Sequence, residues 1–521
     1  MISAAIAHNV RTKKEENDEI VAMTRRIVIA GGGSAGWIAA SLFQHHFTGT
    51  DTEITLVESD NVPVIGVGEG STPHLRQLFS TLGIAEDDWM LHCHATYKNG
   101  IRFEGWQSDH APGYFHPFPS APDRHTAGAF LQACERRRQR INLACLPDDY
   151  FLANWLTTHH KAPLQRTGSL TIPLNYAYHF DASKLATLLA NHTTKQGLKH
   201  IRGTVNTVTR HQSGDIDALL LDDGQRIPGD FFVDCTGFRS LLLQQTLEVG
   251  FLSYADALFN DAAVACASVR HENPVPATRS VAMENGWRWE IPLTHRTGNG
   301  YVYSSQFENK NNAAARLSEV LGNQGNADDI RHIPMKVGRA ASSWAKNCLA
   351  VGLSQGFIEP LEATALHLVQ ETTEQFLSAW EAGSYTPLHR NEFNSRIAGR
   401  FDGIRDYIVA HYVLSKRPGK YWDAVRAEAK RSDTLTALLQ CWNDGGNLVQ
   451  FIQDNQIGHY YSAVSWYCLL SGYDAYPAIS AALDKDASLT AITPLLEKWG
   501  ATFVSHSEAL QRMGTAGPVA C

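Results

Sequence analysis

The chain reads as an α/β protein with a mostly helical C-terminal part. Three observations carry that expectation. "RRIVIAGGGSAGWIAASLFQHHF" is an apolar strand, a glycine turn and an amphipathic helix in immediate succession. "TEITLVES" follows as a second strand, ending in Glu58. From about residue 390 onward, apolar residues recur at helical spacing in "NEFNSRIAGRFDGIRDYIVAHYVL", "TLTALLQCWNDGG" and "YYSAVSWYCLLSGY".

The glycine turn says what the first unit holds. Gly31, Gly33 and Gly36 fill G-x-G-x-x-G between a strand and a helix. The first glycine permits the tight turn, the second lets a pyrophosphate approach the backbone, and the third lets helix and strand pack closely. The helix beginning near Ser34 and Ala35 aims its free amides at that phosphate. Glu58 stands where an acid reaches an adenosine ribose. The unit is therefore Rossmann-like and binds a dinucleotide. "GDFFVDCTGFRSLL" (229–242) chooses between FAD and a nicotinamide. By itself it is a plain strand and turn, yet it is similar to the second flavin-contacting segment of aromatic hydroxylases, with Asp234 and Gly237 near the cofactor. Behind the glycine turn it favours FAD.

Composition narrows the class further. With 521 residues and 44% hydrophobic content the chain can bury a large core. A net charge of −8 and a pI near 6.3 argue against nucleic acid or an anionic membrane as partner. No apolar run reaches the roughly 18–20 residues of a membrane span. Residues 1–25, with "RTKKEENDEI", have no apolar core before a cleavage site and read as a loose leader, not a secretory signal. Nine cysteines without a C-x-x-C pair fit the reduced cytoplasm. No metal-ligand spacing appears, so no metal site is expected.

Four further segments carry the chemistry. "VIGVGEGSTPHLRQLF" (64–79) is a glycine loop, with Gly66 and Gly68, feeding a helix. "ATYKNGIRFEGW" holds Lys98 among aromatic and apolar neighbours. "VGLSQGFIEPLEATALHLVQETTEQF" (351–376) leads from Leu353 into a long amphipathic helix with Glu362, Thr364, Ala365 and Leu366 near its start. In "GWRWEIPL" (286–293), alternation sets Trp287 and Trp289 on one face of a strand that Pro292 stops or makes an edge. Each has a plain alternative. A lone lysine is usually solvated, a first-turn glutamate usually complements a helix dipole, and paired tryptophans usually pack a core.

Together these segments resemble the flavin-dependent tryptophan halogenase family. The W-x-W-x-I-P box is complete as Trp287, Trp289, Ile291 and Pro292, and "EPLEAT" opens the long helix. "YAYHFDASKLATLL" (176–189) and "GNGYVYSS" (298–305) are similar to that family's segments too. The likeness runs in order from residue 26 to about 390 and thins beyond. It implies an FAD-binding domain of the GR2-type flavin monooxygenase kind over 26–390, with a helical substrate-covering region over 391–515. It also implies that reduced FAD and oxygen turn a bound halide, bromide or chloride, into hypohalous acid. The halide would rest on the amides of Thr364 and Ala365. Lys98 would then hold the oxidant by a hydrogen bond or as a haloamine, and Glu362 would orient it or remove the ring proton. Gly31, Gly33, Ser34, Ala35, Gly36, Glu58, Gly66, Gly68, Asp234, Gly237, Leu353 and Leu366 would contact the cofactor. Trp287, Trp289 and Trp466 would line the passage and the substrate site. Two departures stand out: the family's usual serine after the glutamate is Ala363, and its common glycine is Ala365.

The free-tryptophan recognition segment of the family has no residue-by-residue match here. A small electron-rich arene of the indole type is therefore the expected substrate, with tryptophan halogenated on its benzo ring as the alternative. No second nucleotide motif is visible, so a separate flavin reductase is the expected partner, and a homodimer is left open. Two rivals remain at this point: an FAD hydroxylase using NADPH directly, and a non-catalytic flavin-binding redox sensor.

Overall fold

The computed structural model describes residues 24–61, 68–109, 111–168, 171–479 and 484–515. Its first layer is a six-stranded sheet ordered Lys199–Arg202, Thr52–Glu58, Arg25–Ala30, Phe231–Asp234, Cys348–Ala350, Trp344–Ala345. The first five strands run parallel, and Trp344–Ala345 returns antiparallel at the edge. In register, Ala30 lies beside Val57 and Asp234, and Asp234 beside Ala350. The glycine turn, the Gly237 turn and the Gly352 turn therefore gather at one end of the sheet. That carboxyl edge is where open α/β sheets take their ligands.

The turn glycines divide their work as the sequence suggests. Gly31 has φ of +110°, which a side chain rarely adopts. A Cβ on Gly36 would lie 1.9 Å from the Gly31 carbonyl oxygen, so only glycine lets the Ser34–His46 helix pack there. A Cβ on Gly33 would meet nothing within 4 Å. Its bareness serves no contact inside the protein.

The second layer is a seven-stranded sheet with the tryptophan box at its centre. Its order is Arg331–Pro334, Ala262–Ser268, Thr297–Tyr303, Gly286–Pro292, Thr278–Met283, Gly100–Glu104, Tyr114–Pro117. Trp287 and Trp289 are both buried on one face, as alternation requires, with Arg288 and Glu290 half-buried on the other. Pro292 ends this strand but does not make it an edge, because a strand pairs on each side, Thr278–Met283 as far as Glu290 and Thr297–Tyr303 as far as Pro292. A proline is tolerated there because it comes last.

A small sheet joins the two layers. Thr96–Lys98 pairs with Ala177–Phe180, which pairs with Glu69–Gly70. The C-terminal part is mostly helical as expected, and its core merges with the rest: one hydrophobic cluster runs from Ile27 to Met513. It also contributes strands, since Asp484–Lys485 pairs with Leu143–Ala144 and Phe503–Ser505 with Lys161–Gln165. His506 is fully buried, its Nδ1 donating to the Pro274 carbonyl at 2.7 Å and its Nε2 accepting the Tyr97 amide at 3.3 Å. Burial pulls this imidazole down to about 4, in keeping with its neutral form. Most of the leader, residues 1–23, lies outside the described residues.

The glycine turn yields a test with two separate readouts. Gly36→Ala should lower stability by about 1–3 kcal/mol, as overpacking does, seen in urea unfolding of the cofactor-free protein. Gly33→Ala should leave that midpoint unchanged and weaken FAD binding in a fluorescence titration. Equal behaviour of the two variants would show that the bareness of Gly33 has no role in binding.

Candidate active site

The carboxyl edge of the parallel sheet forms the cofactor end. Ser34 opens the first helix, donating its hydroxyl to the Ala182 carbonyl at 3.3 Å, and Ala35 packs so near Gly352 that a Cβ there would approach it to 2.6 Å. Glu58 ends its strand within 2.9 Å of His200 Nε2 and 3.6 Å of Arg202. Leu353 lies in the Gly352–Ser354 turn, and Leu366, half-buried, packs against the core. Gly237 has φ of +70° beside them. Gly66 falls outside the described residues.

Asp234 is engaged differently from what its motif suggests. One carboxylate oxygen accepts the Thr236 amide and hydroxyl, at 3.0 and 2.7 Å. The other accepts the Leu242 and Leu243 amides, both at 2.8 Å. All four of its usual acceptor positions are filled by its own chain. Asp234 thus builds the Gly237 turn and has no free acceptor for a ligand.

The bare space at Gly33, the helix amides behind it and the convergence of the three turns fit the diphosphate of a flavin dinucleotide.

Some way along the chain, a second cluster gathers buried charge. Lys98 is completely buried, donating from Nζ to the Ser71 carbonyl at 3.1 Å. A Cβ on Gly70 would lie 3.2 Å from this nitrogen, 3.4 Å from Thr278 Oγ1 and 3.7 Å from Ala363 Cβ. Lysine, glycine loop and helix start therefore meet at one point. Burial pulls the ammonium down to about 7, against the upward pull of Glu362. This is no surface lysine.

Glu362 is also buried, on the Pro360–Glu362 turn ahead of the Ala365–Ala382 helix. Burial would raise its pKa, but His116, the His411 hydrogen bond and Lys98 outweigh it and hold the carboxyl below its ordinary value. His411 Nε2 donates to Glu362 Oε1 at 3.0 Å, and His116 Nδ1 lies 3.9 Å from Oε2. Lys98 and Glu362 share the chamber without forming a direct ion pair. Ala363, between the turn and the helix, takes a left-handed φ of +54°. Thr364 caps the helix, and its carbonyl accepts the first intrahelical amide, that of Leu368. The amides of Thr364 and Ala365 precede that first donor and belong to the helix's positive end.

The tryptophan box runs from the glycine loop to the aromatic shell around His411. A Cβ on Gly68 would touch Ile291 at 3.4 Å and Leu293 at 3.6 Å, so the glycine loop rests on one end of the strand. At the other, Trp287 Nε1 donates to Glu359 Oε2 at 2.8 Å, and its ring lies 6.2 Å from Trp106, which lies 5.9 Å from His411. The Trp289 ring fits over Gly300, where a Cβ would come within 2.0 Å of it.

The aromatics near residue 460 divide into different roles. Trp466 is buried edge-on to Tyr407, its Nε1 without a partner, and Tyr461 stacks flat on Tyr407 at 3.6 Å. Tyr407 bonds to His116 Nε2 at 3.0 Å, which ties this group to Glu362. Tyr467, by contrast, packs on Trp442 and bonds to Glu135, away from that group.

His116, His411, Phe118 and Glu359 were not singled out by the sequence. Phe118 lies with its ring 5.6 Å from Lys98 Nζ. Glu359 accepts from Asn260, Trp287 and Tyr412, while its other oxygen has no partner. Burial pushes its carboxyl up against the pull of those three donors. A lone histidine in "DYIVAHYVL" looks like any core residue, and only its position opposite the turn reveals it.

Among the described residues no group of three metal-ligating side chains occurs, and no helix is long and apolar enough to cross a membrane. The eight described cysteines are all free.

Residues 26–488 match the family model described as tryptophan halogenase. A 7-chloro-L-tryptophan 6-halogenase from Kutzneria sp. (strain 744) is 36% identical over 94% of this chain and 99% of its own length. The solved tryptophan 6-halogenase of Streptomyces toxytricini superposes with a TM-score of 0.80 at 32% identity, covering 94% of this chain and 99% of that one. A flavin-dependent halogenase from Brevundimonas sp. BAL3 does so at 0.80 and 30%, with the same coverage. Matching in sequence and in fold along nearly its whole length, the chain belongs to the flavin-dependent tryptophan halogenase family and is an enzyme of that family.

Proposed function

We propose that the enzyme halogenates an electron-rich arene of the indole type, using hypohalous acid handed to Lys98. The observation that carries this is the burial of Lys98 and Glu362 in one chamber, where Gly70 of the glycine loop and Ala363 at the helix start meet the lysine. Reduced FAD, supplied by a separate reductase, would provide with oxygen the oxidising equivalent that makes hypohalous acid from halide. Gly31, Gly33, Gly36, the first-helix amides, Glu58, Gly68, Gly237, Leu353 and Leu366 would hold it. Asp234 would act through its turn. The amides of Thr364 and Ala365 hold the halide, Lys98 donates a hydrogen bond to the oxygen of hypohalous acid, and Trp287 and Trp289 keep the arene from the cofactor. The ring carbon then takes the halogen, the hydroxide leaves as water with a proton from the Lys98 ammonium, and Glu362 accepts the ring proton. His411 keeps that carboxylate ionised and aimed. The division at about residue 390 would separate the cofactor module from the helices that cover the arene.

Lys98→Ala should abolish halogenation and leave FAD binding and hypohalous acid production intact, the acid being trapped with a thiol dye. With an ammonium as donor, halogenation by the intact enzyme should fall as pH rises through about 7. Sign and fold are separable. A lysine whose folded pKa is depressed destabilises the fold most at low pH, and the penalty fades as pH rises from about 7 towards its unfolded value near 10.4. Lys98→Met should therefore be more stable than wild type at pH 6, by roughly 1–3 kcal/mol. Halogenation at the wild-type rate by either variant would remove Lys98 from the mechanism.

Halide choice should follow the helix start. An amide site sets little penalty on a large ion, and bromide is easier to oxidise and to dehydrate than chloride. Equal concentrations of the two salts should give mainly brominated product, and Ala365→Gly should shift the ratio. Mainly chlorinated product would refute the preference.

Substrate choice should follow the arene's own electronics. Tyr407, Tyr461 and Trp466 offer burial and stacking rather than a grip on an α-amino acid. Indole should react at C3, its most nucleophilic carbon, and tryptophan, blocked there, should be poor. Efficient single-position halogenation of tryptophan's benzo ring, seen by mass spectrometry and NMR, would overturn this and favour the alternative.

A further inference from the structure

We propose that a cationic cavity beside the Lys98 chamber binds a carboxylate carried by the arene substrate, and that its charge selects acidic indoles over zwitterionic or cationic ones. This rests on the halogenase function proposed above. The cavity has a volume of about 660 Å³, and its wall includes Arg76, Pro119, Arg124, Leu164, Ile172 and Leu174. No aspartate or glutamate lines it. Neither arginine makes an ion pair with a carboxylate among the described residues. Arg76, on the His74–Leu82 helix, rests its guanidinium 3.9 Å over the Tyr176 ring and donates to the Leu174 carbonyl at 3.4 Å. That leaves most of its five donors unused. Arg124 is exposed on the Ala121–His125 turn.

The cavity and the chamber share a wall. His116 faces Glu362 at 3.9 Å, and the Phe118 ring lies 5.6 Å from Lys98 Nζ. The next two residues, Pro119 and Ser120, line the cavity. Consecutive Cα atoms lie about 3.8 Å apart, so the two spaces begin within roughly 4–8 Å of each other along the backbone. On this proposal the arene lies beside Lys98 and its short acidic arm past this segment, in the cavity. The wall is also fixed in place. Asp123 accepts the Ser120 amide at 2.6 Å in a capping box, and Asn175 donates to the Pro119 carbonyl at 2.5 Å. Burial raises Asp123 to about 7, so it opposes the arginines less than an exposed aspartate would. Glu86 accepts the Tyr176 and Tyr178 hydroxyls and does not line the cavity.

Two unpaired guanidiniums attract a carboxylate by charge-assisted, often bidentate hydrogen bonds and repel an ammonium. The recognition suits an acid lacking the amino group of tryptophan. Lining by proline, leucine and isoleucine suits the apolar stem that joins acid to ring.

The test uses three arenes that leave C3 free: indole, indole-5-carboxylate and 5-aminomethylindole. Each is assayed with the full enzyme, FAD, a reductase and bromide. Indole-5-carboxylate should have the lowest KM. In the Arg76→Gln/Arg124→Gln variant its KM should rise about fivefold to tenfold, with kcat little changed, while indole is unaffected and 5-aminomethylindole improves. Arg76→Lys/Arg124→Lys should retain the preference. Equal shifts for all three arenes, or none for the acid, would overturn the proposal. Calorimetric titration of indole-5-carboxylate into the oxidised enzyme separates the two ideas. Arginine-dependent binding with no arene halogenated would keep the cavity and remove the halogenase function proposed above. Halogenation without discrimination by charge would do the reverse.

Discussion

The constraint on which the rest depends is that one buried chamber holds an ammonium and a carboxylate that do not touch. Burying either ion alone is costly, and a direct pair would spend both on each other. The protein instead satisfies each separately: Lys98 on the Ser71 carbonyl, Glu362 on the His411 imidazole. Both groups then have capacity left for a guest. Their separation explains why the surrounding shell is so heavily aromatic and histidine-rich. Trp106, Tyr407, Tyr473 and His116 surround the carboxylate's partners with groups that donate or stack without adding full charge.

The tryptophan box adjoins that chamber through Glu359 and Trp106. Its strand is central in the seven-stranded sheet, so the wall is rigid by position. Gly68 meets it at one end and Glu359 holds Trp287 at the other. The rings fill a core, and the partition proposed for them would rest on that same packing.

Much of this was legible in the sequence because it is local. The strand–turn–helix unit, the second strand and Glu58 follow from short-range spacing, and Gly31 and Gly36 take the turn and packing roles their pattern assigns. The halogenase likeness brought Lys98 and Glu362 together although they lie 264 positions apart in the chain. What remained hidden is what only tertiary contact creates. His411 looks apolar-faced and ordinary in its helix, His116 sits in a proline-rich stretch, and Asp234 looks like a ligand-facing acid until its four acceptors are counted. Pro292 was readable as a strand end, but not its central place, because pairing partners lie far along the chain. The C-terminal strands were missed for the same reason: each is two or three residues long and pairs with a segment more than 330 residues earlier.

The buried His506 has a consequence for the order in which the molecule is made. Its ring accepts the amide of Tyr97, next to Lys98, and donates to Pro274. The strand bearing the lysine is therefore completed by a side chain synthesised about 400 residues after it. A chain still emerging from the ribosome can form the sheet edge that fits the cofactor, since its four central strands are present by Ala350. It lacks the final brace on the lysine. The parallel sheet thus precedes the completed lysine strand in synthesis, and the nascent chain carries the first without the finished second.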